Sequence, residues 1–289
     1  MTAAVTILFD GLAYAVLLFI ISVGLSITMG LMGFVNLAHG AFAMVGGYAT
    51  VTLMNDLGVP FLPALGIAFL VAGGLSVPIE RLVYRPLYDK DELDQVLLTI
   101  GLVFMATAVV TFAWGPSPPA IAIPKFLTGQ VDLGFRTVPA YRLFTIVFGI
   151  VLIAALWLGL ERTLVGAKIR AAVDNRRMAQ SVGIDVNRLF ALTFALGSGL
   201  AGVGGGLAIE IVGISPVFAI QYLVFFLIVV AAGGLGSVLG AFIAAVVLGL
   251  IDTAGKYLWP EGGAFFIFVA TIALLLARPD GLFGKQDTR

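Results

Sequence analysis

The chain has 289 residues, 61% of them hydrophobic and 11% charged, with sixteen basic and sixteen acidic side chains and no net charge. A soluble domain needs roughly a quarter of its residues charged, so most of this chain has lipid as its solvent. Neutrality gives no case for nucleic-acid binding. The absence of cysteine removes disulfides and thiolate metal sites, and the single histidine, His39, cannot build a His-based metal cluster or a His-dependent triad.

The fold class expected is all-α: a polytopic membrane bundle, because lipid offers the backbone no hydrogen-bond partners. Residues 1–289 read as one transmembrane domain with eight to ten spanning or re-entrant helices and an internal repeat. The first apolar run, 11–32, has no Lys or Arg before it and is too long for a signal-peptide core, so it reads as a retained span. Further runs lie at 37–54, 61–79, 95–114, 142–160, 189–212, 222–233, 236–257 and 263–277. The run at 37–54 is polar at its start and 222–233 is short, so either is a candidate re-entrant or broken helix.

The segment 30–47 places Asn36, His39 and Gly40 among glycines between two apolar runs. Glycine-broken helices free backbone groups that line substrate sites in transporters, and a membrane-embedded His is costly enough to be a functional candidate. The competing reading is a short surface turn with Asn36 capping the next helix. After 61–79 comes a basic cluster, Arg81, Arg85 and Lys90. The proline-rich connection 115–141 follows 95–114. Basic loops mark the cytoplasmic side, and 81–90, 161–188 and the tail with Arg278, Lys285 and Arg289 can all face it. Lys125, Arg136, Arg142 and Lys256 then lie outside, with the N-terminus outside and the C-terminus inside.

The loop 161–188 carries Arg162, Lys168, Arg170, Arg176, Arg177 and Arg188, six of the sixteen cations. Within it Ala171, Met178 and Val182 recur at helix-like spacing and Gly183 stops the helix. Such a basic amphipathic helix fits a lipid surface or a groove on a partner protein. In 189–212, Gly197, Gly199 and Gly202 match a dinucleotide fingerprint formally, but inside an apolar helix. With Gly204, Gly205 and Gly206 they form a small-residue face suited to tight packing or to lining a pathway. A second glycine-rich break at Gly233, Gly234, Gly236 and Gly240 leads into an apolar run similar to the one after the first break. That similarity suggests a duplication with the pathway between the copies. No nucleotide-binding loop exists: 249–257 has the wrong glycine spacing and Tyr257 where Ser or Thr is required. Glu210 and Asp252 are the acids deepest in apolar segments, each near the outer end of its span. They are either ion-coupling carboxylates or solvated helix-end residues.

The ordered combination G-F-V-N-L-A-H-G-A-F at 33–42, R-A-A-x-D-N-x-x-M-A-x-S-V-G-I at 170–184, G-G-L-G-S-V-x-G at 233–240 and A-R-P-x-G-L-F-G at 277–284 resembles the permease subunits of branched-chain amino acid ABC importers. The likeness is strongest to the member of the permease pair with the Asn-x-Ala-His-Gly signature. The resemblance implies a second, similar permease, two ATP-binding subunits and a periplasmic binding protein as partners, in a bacterial inner membrane. It implies that 170–184 couples to the ATPase, through Arg170, Asp174, Asn175, Met178, Ala179, Val182 and Gly183. It also implies that hydrolysis resides on other subunits and that this chain needs no cofactor. Branched-chain or other hydrophobic amino acids are the expected cargo, with urea or short amides as the alternative. An ion-coupled secondary transporter using Glu210 or Asp252 is the alternative machine. A passive channel would leave the basic loop without a purpose.

Overall fold

The computed structural model describes residues 2–34, 36–88, 90–120, 123–124, 126–132, 134 and 137–284. Every apolar run becomes a helix. In chain order these are α1 (Thr2–Met32), α2 (His39–Asn55), α3 (Phe61–Ile79), α4 (Glu92–Trp114), α5 (Ala140–Arg162), α6 (Leu164–Asp174), α7 (Arg176–Ser181), α8 (Val186–Ile211), α9 (Phe218–Gly233), α10 (Val238–Leu258) and α11 (Phe265–Ala277). Six of these are long and apolar enough to cross a membrane, and α9 and α11 are shorter apolar helices. The proline-rich connection holds a small hairpin, β1 (Gln130–Asp132) against antiparallel β2 (Thr137–Pro139). Three-residue strands give too short a pattern to be read from sequence.

The bundle is organised around α8. Its glycines admit three neighbours at backbone distance. A methyl on Gly24 of α1 would meet Gly197 Cα at 2.5 Å, one on Gly46 of α2 would meet Gly202 Cα at 2.2 Å, and one on Gly205 would meet the Ala43 carbonyl oxygen at 1.8 Å. On a third side, methyls at Gly199 and Gly206 would strike Phe69 and Leu65 of α3 at 2.7 and 2.5 Å. The glycine face of α8 is therefore a packing face. Helix α10 lies on α1 in the same manner, with Gly249 against Ala15, and just before α10 Gly236 meets Gly30. By contrast α4, α5 and α11 leave large apolar side chains uncovered, among them Phe112, Val151 and Ile272, as lipid-facing helices do.

Two helix–turn–helix units run in opposite directions through this core. α1 ends at Met32, yet α2 starts beside Ile21, because His39 Nε2 donates to the Ile21 carbonyl at 2.8 Å. At 1.5 Å per residue, Ile21 lies about 16 Å inside the end of α1. The connection 33–38 therefore turns back into the bundle. α8 ends at Ile211 and the connection 212–217 does the same from the other side, bringing Ala219 against Gly40, where a methyl would meet the Ala219 carbonyl at 3.1 Å. The two turns share a build. Each carries a left-handed glycine, Gly33 (φ 61°) and Gly213 (φ 78°). Each ends on an N-cap of the same conformation, Ala38 at φ −81°, ψ 3° and Val217 at φ −97°, ψ 4°. α3 packs on α8 and α2 as α10 packs on α1 and α9.

From sequence, 30–47 pairs with the glycines at 233–240. In the structure its counterpart is 212–217 instead. The glycines at 233–240 serve a tight hairpin, not a re-entrant turn. Gly236 N donates to Ser26 O at 3.0 Å, and the tail folds back so that Leu282 N and Phe283 N donate to Ala232 O and Gly233 O at 2.8 and 3.2 Å.

The basic residues gather at one end. Arg81, Arg85 and Arg188 line one recess there, and Arg170 lines another with the tail. At the opposite end, Arg142 pairs with Asp10, and Lys256 Nζ pairs with Asp252 at 2.6 Å. Lys125, Arg136, Lys285 and Arg289 lie outside the described residues.

The glycine contacts make a sharp prediction. Gly46→Ala and Gly205→Ala are expected to lower stability, because overpacking costs roughly 1–3 kcal/mol. Gly101→Ala, with nothing within 4 Å of its added methyl, should be neutral or stabilising, since alanine is the better helix former by about 1 kcal/mol. Thermal unfolding in detergent would show the difference, and equal behaviour of the three variants would contradict the packing described.

Candidate coupling surface and re-entrant turn

The segment 161–188 forms two helices where the spacing of Ala171, Met178 and Val182 predicts one. Asn175 breaks it. Its backbone is extended (φ −155°, ψ 99°), and its side-chain oxygen accepts from Met178 N at 3.0 Å, so Asn175 ends α6 and caps α7. Asparagine favours this local bond over helix continuation. Ala171 therefore sits on α6, apart from Met178 and Val182.

Each end of the pair is fixed. Thr163 accepts from Gly166 N at 3.1 Å, and Gly166 packs against the Leu160 carbonyl. The Arg170 guanidinium reaches back to the Leu160 carbonyl and lies 3.7 Å from Glu161, so it closes the end of α5 rather than facing outward alone. α7 ends as expected at Gly183, whose φ is +87°. Gly183 N donates to Gln180 O and Ile184 N to Ala179 O, both at 3.0 Å, the paired bonds of a Schellman stop. Ala179 is buried, anchoring α7, and the Arg176 guanidinium lies 4.9 Å from the centre of the Phe190 ring. Asp174 is exposed beside the break.

What remains uncovered is apolar. Met178 is 64% and Val182 72% exposed, and Leu164 projects from the start of α6. Burying a side chain of this size is worth roughly 1.5–3 kcal/mol, and the capped α7 leaves Met178, and Val182 just past its end, uncovered. Behind it lies a groove of about 930 Å³ among the ends of α1 and α5, α6, the α9–α10 hairpin and the tail, lined by Gly30, Val173, Gly236 and Phe283 among others.

The second set of sequence candidates lies deeper. Asn36 and His39 are 2% and 1% exposed. Asn36 Oδ1 accepts from Ala38 N at 3.0 Å and from the Tyr84 hydroxyl at 2.9 Å. The surface-turn reading does not hold: the turn lies within the bundle and the N-cap of α2 is Ala38, while Asn36 closes the turn before it by accepting from Ala38 N. The carbonyl partner of His39 requires Nε2 to carry the proton. Gly233, Gly234 and Gly236 are not brought to this turn; they sit at the basic end, against the tail and Gly30. Glu210 is exposed at the end of α8, whereas Asp252 is buried beside Lys256. The Lys256 ammonium also lies 5.5 Å from the Tyr14 ring centre and 5.9 Å from that of Phe225. Sequence reasoning missed Tyr84 and Glu80, both buried, in a π turn (Glu80–Tyr84) and a 3-10 turn (Arg85–Leu87) continuing α3. The available signal was Pro78 and Pro86 flanking an isolated acid.

If Asn175 holds the two helices apart, Asn175→Ala should fray α7, since such a cap is worth about 1 kcal/mol. Amide exchange across 176–181 should accelerate several-fold, while Asn175→Asp, which keeps the acceptor, should leave it near its original rate.

The family model for the permease component of branched-chain amino acid transport systems matches residues 7–277. The high-affinity branched-chain amino acid transport system permease protein LivH of Escherichia coli K12 is 26% identical over 97% of this chain and 95% of its own length. BraD of Pseudomonas aeruginosa, a protein of the same description, is 27% identical over the same shares. The probable LivH of the archaeon Methanocaldococcus jannaschii is 27% identical over 96% and 92%. Among solved structures, PsaBC from Streptococcus pneumoniae, in complex with Fab, superposes with a TM-score of 0.51 at 12% identity, over 93% of this chain and 89% of that one. At that identity the likeness concerns the fold alone. With nearly its whole length matched, the chain belongs to the family of branched-chain amino acid transport permease components.

Proposed function

We propose that this chain is one permease subunit of an ATP-binding-cassette importer that moves branched-chain amino acids across a bacterial inner membrane. Its partners are a second permease of the same type, two ATP-binding subunits that carry out hydrolysis, and a periplasmic binding protein that delivers the solute. The reading rests chiefly on the capped α6–α7 pair at the basic end, which presents Met178 and Val182 to a partner. Asn175 and Gly183 hold the shape of that surface, Ala179 and Arg170 fasten it to the bundle, and Asp174 flanks it. The re-entrant turn Asn36–His39–Gly40 forms part of the transport pathway, and Gly233, Gly234 and Gly236 allow the hairpin at its cytoplasmic end. A turn within the bundle exposes its backbone to a pathway only if α2 and α9 separate, so movement driven from the basic end is the natural opening step.

Met178→Glu or Val182→Glu places a charge in the docking face. Each is expected to abolish uptake in proteoliposomes containing all subunits, while the chain still reaches the membrane at normal levels. Uptake that survives both would remove α7 from the coupling role.

The energy source is separable from this. Glu210→Gln and Asp252→Asn preserve size and hydrogen bonding, and half-exposed Lys256 can turn away from a neutral partner. Uptake should persist in both, require ATP and be indifferent to protonophores at constant ATP. Uptake driven by an ion gradient without ATP, and lost in either variant, would instead identify an ion-coupled carrier, which must hold its ion-binding group in its own membrane core.

A further inference from the structure

We propose that the Tyr84 hydroxyl is a positioning group that ties the re-entrant turn at Asn36 to the coupling segment through a continuous line of packed aromatic rings; the proposal rests on the coupling reading above. The line starts at α7, where the Arg176 guanidinium lies over Phe190. Phe190 meets Tyr88 edge-on at 5.8 Å, Tyr88 meets Phe34 edge-on at 5.8 Å, and Phe34 meets Tyr84 at 5.1 Å. The Tyr84 hydroxyl then donates to Asn36 Oδ1 at 2.9 Å. Phe194 closes the cluster, 5.0 Å from Tyr84 and 5.7 Å from Phe42 in the first turn of α2. Phe34, Tyr84, Phe190 and Phe194 are at most 2% exposed.

Two features separate this line from ordinary core packing. The first is the backbone that carries it. Tyr84 and Tyr88 stand on and just beyond the π and 3-10 turns, directly after Pro78 inside α3. Proline removes a ladder donor, and irregular helical turns of this kind concentrate at hinges. This one is held in shape by the Tyr88 hydroxyl, which donates to buried Glu80 Oε1 at 2.6 Å. The second is chemical. Packing asks only for a ring at position 84, and phenylalanine supplies one. The hydroxyl adds a polar group inside the bundle whose described acceptor is the oxygen that also organises the entry to α2. Dense interiors switch between discrete arrangements rather than deform continuously. A shift of α7 that moves Phe190 therefore displaces Tyr84, and through its hydrogen bond the start of α2, where Gly40 meets α9.

The test uses the complete transporter in proteoliposomes, with leucine uptake and ATP hydrolysis measured on the same preparation. Tyr84→Phe is expected to assemble and hydrolyse ATP within twofold of the unaltered protein while uptake falls at least tenfold, so that fewer leucines cross per ATP. Phe190→Leu, which breaks the other end of the line, should act in the same direction. Because both break one line, the double variant should be no worse than the poorer single. An unchanged ratio of uptake to hydrolysis in Tyr84→Phe overturns the proposal. So do losses that multiply in the double variant, and so does a parallel fall of assembly, hydrolysis and uptake, which marks a packing role. Met178→Glu in the same vesicles separates the two readings. Uptake retained there defeats the coupling role of α7 itself, whereas uptake lost there but kept in Tyr84→Phe defeats only the aromatic line.

Discussion

Helices in lipid gain little by hiding apolar surface from lipid tails, so what draws them together is contact at short range. In this protein that contact is concentrated on one helix. α8 has no bulky side chain at Gly197, Gly199, Gly202, Gly205 or Gly206, and α1, α2 and α3 close on it until backbone touches backbone. The placement of the remaining helices depends on where that leaves the neighbours. α1 and α8 cross antiparallel with Gly24 on Gly197, and the two re-entrant turns enter from opposite ends of that crossing. The outer helices have no such glycine seams toward solvent or lipid and keep their large residues on the outside.

A turn that re-enters a membrane bundle must satisfy its own polar groups, since an unpaired buried group costs about 1–3 kcal/mol. At this turn Asn36 Oδ1 and His39 Nε2 do so, while the buried Asn36 Nδ2 has no hydrogen-bond partner among the described residues. Asn36 substitutes for missing helical bonds by accepting from Ala38, while His39 commits its ring proton to a carbonyl of α1. Neither contact depends on a charge, so the turn needs no counter-ion at that depth. Within α10, Asp252 and Lys256 form an ion pair one helical turn apart.

Most of the helical architecture was legible in the residues because lipid imposes a simple code: apolar length gives a helix, and the clustered cations of the sequence meet at one end of the bundle. The stop at Gly183 was legible for the same reason, since a left-handed residue is nearly always glycine. The break at Asn175 was not, because an asparagine that caps a helix and one that merely sits on it look alike in one dimension. The counterpart of the first re-entrant turn was hidden by composition. Gly233–Gly240 has more glycine than 212–217, but glycine there serves close approach, whereas the re-entrant geometry at 212–217 needs only Gly213 and a suitable cap. Tyr84 was invisible because its significance is a contact across 48 residues. Local periodicity cannot report such a partner.

The way the tail closes the α9–α10 hairpin sets an order of events. A helix end leaves carbonyls without partners, and for α9 two of these, at Ala232 and Gly233, are met by the amides of Leu282 and Phe283. During synthesis α9 and α10 therefore enter the bilayer with that end still open, and α11 must be threaded before it can be sealed. Until then that end of the hairpin is tied to α1 by Gly236 N, which donates to Ser26 O. What closes that end is a backbone clasp at the basic end of the molecule, beside the groove and the α6–α7 pair.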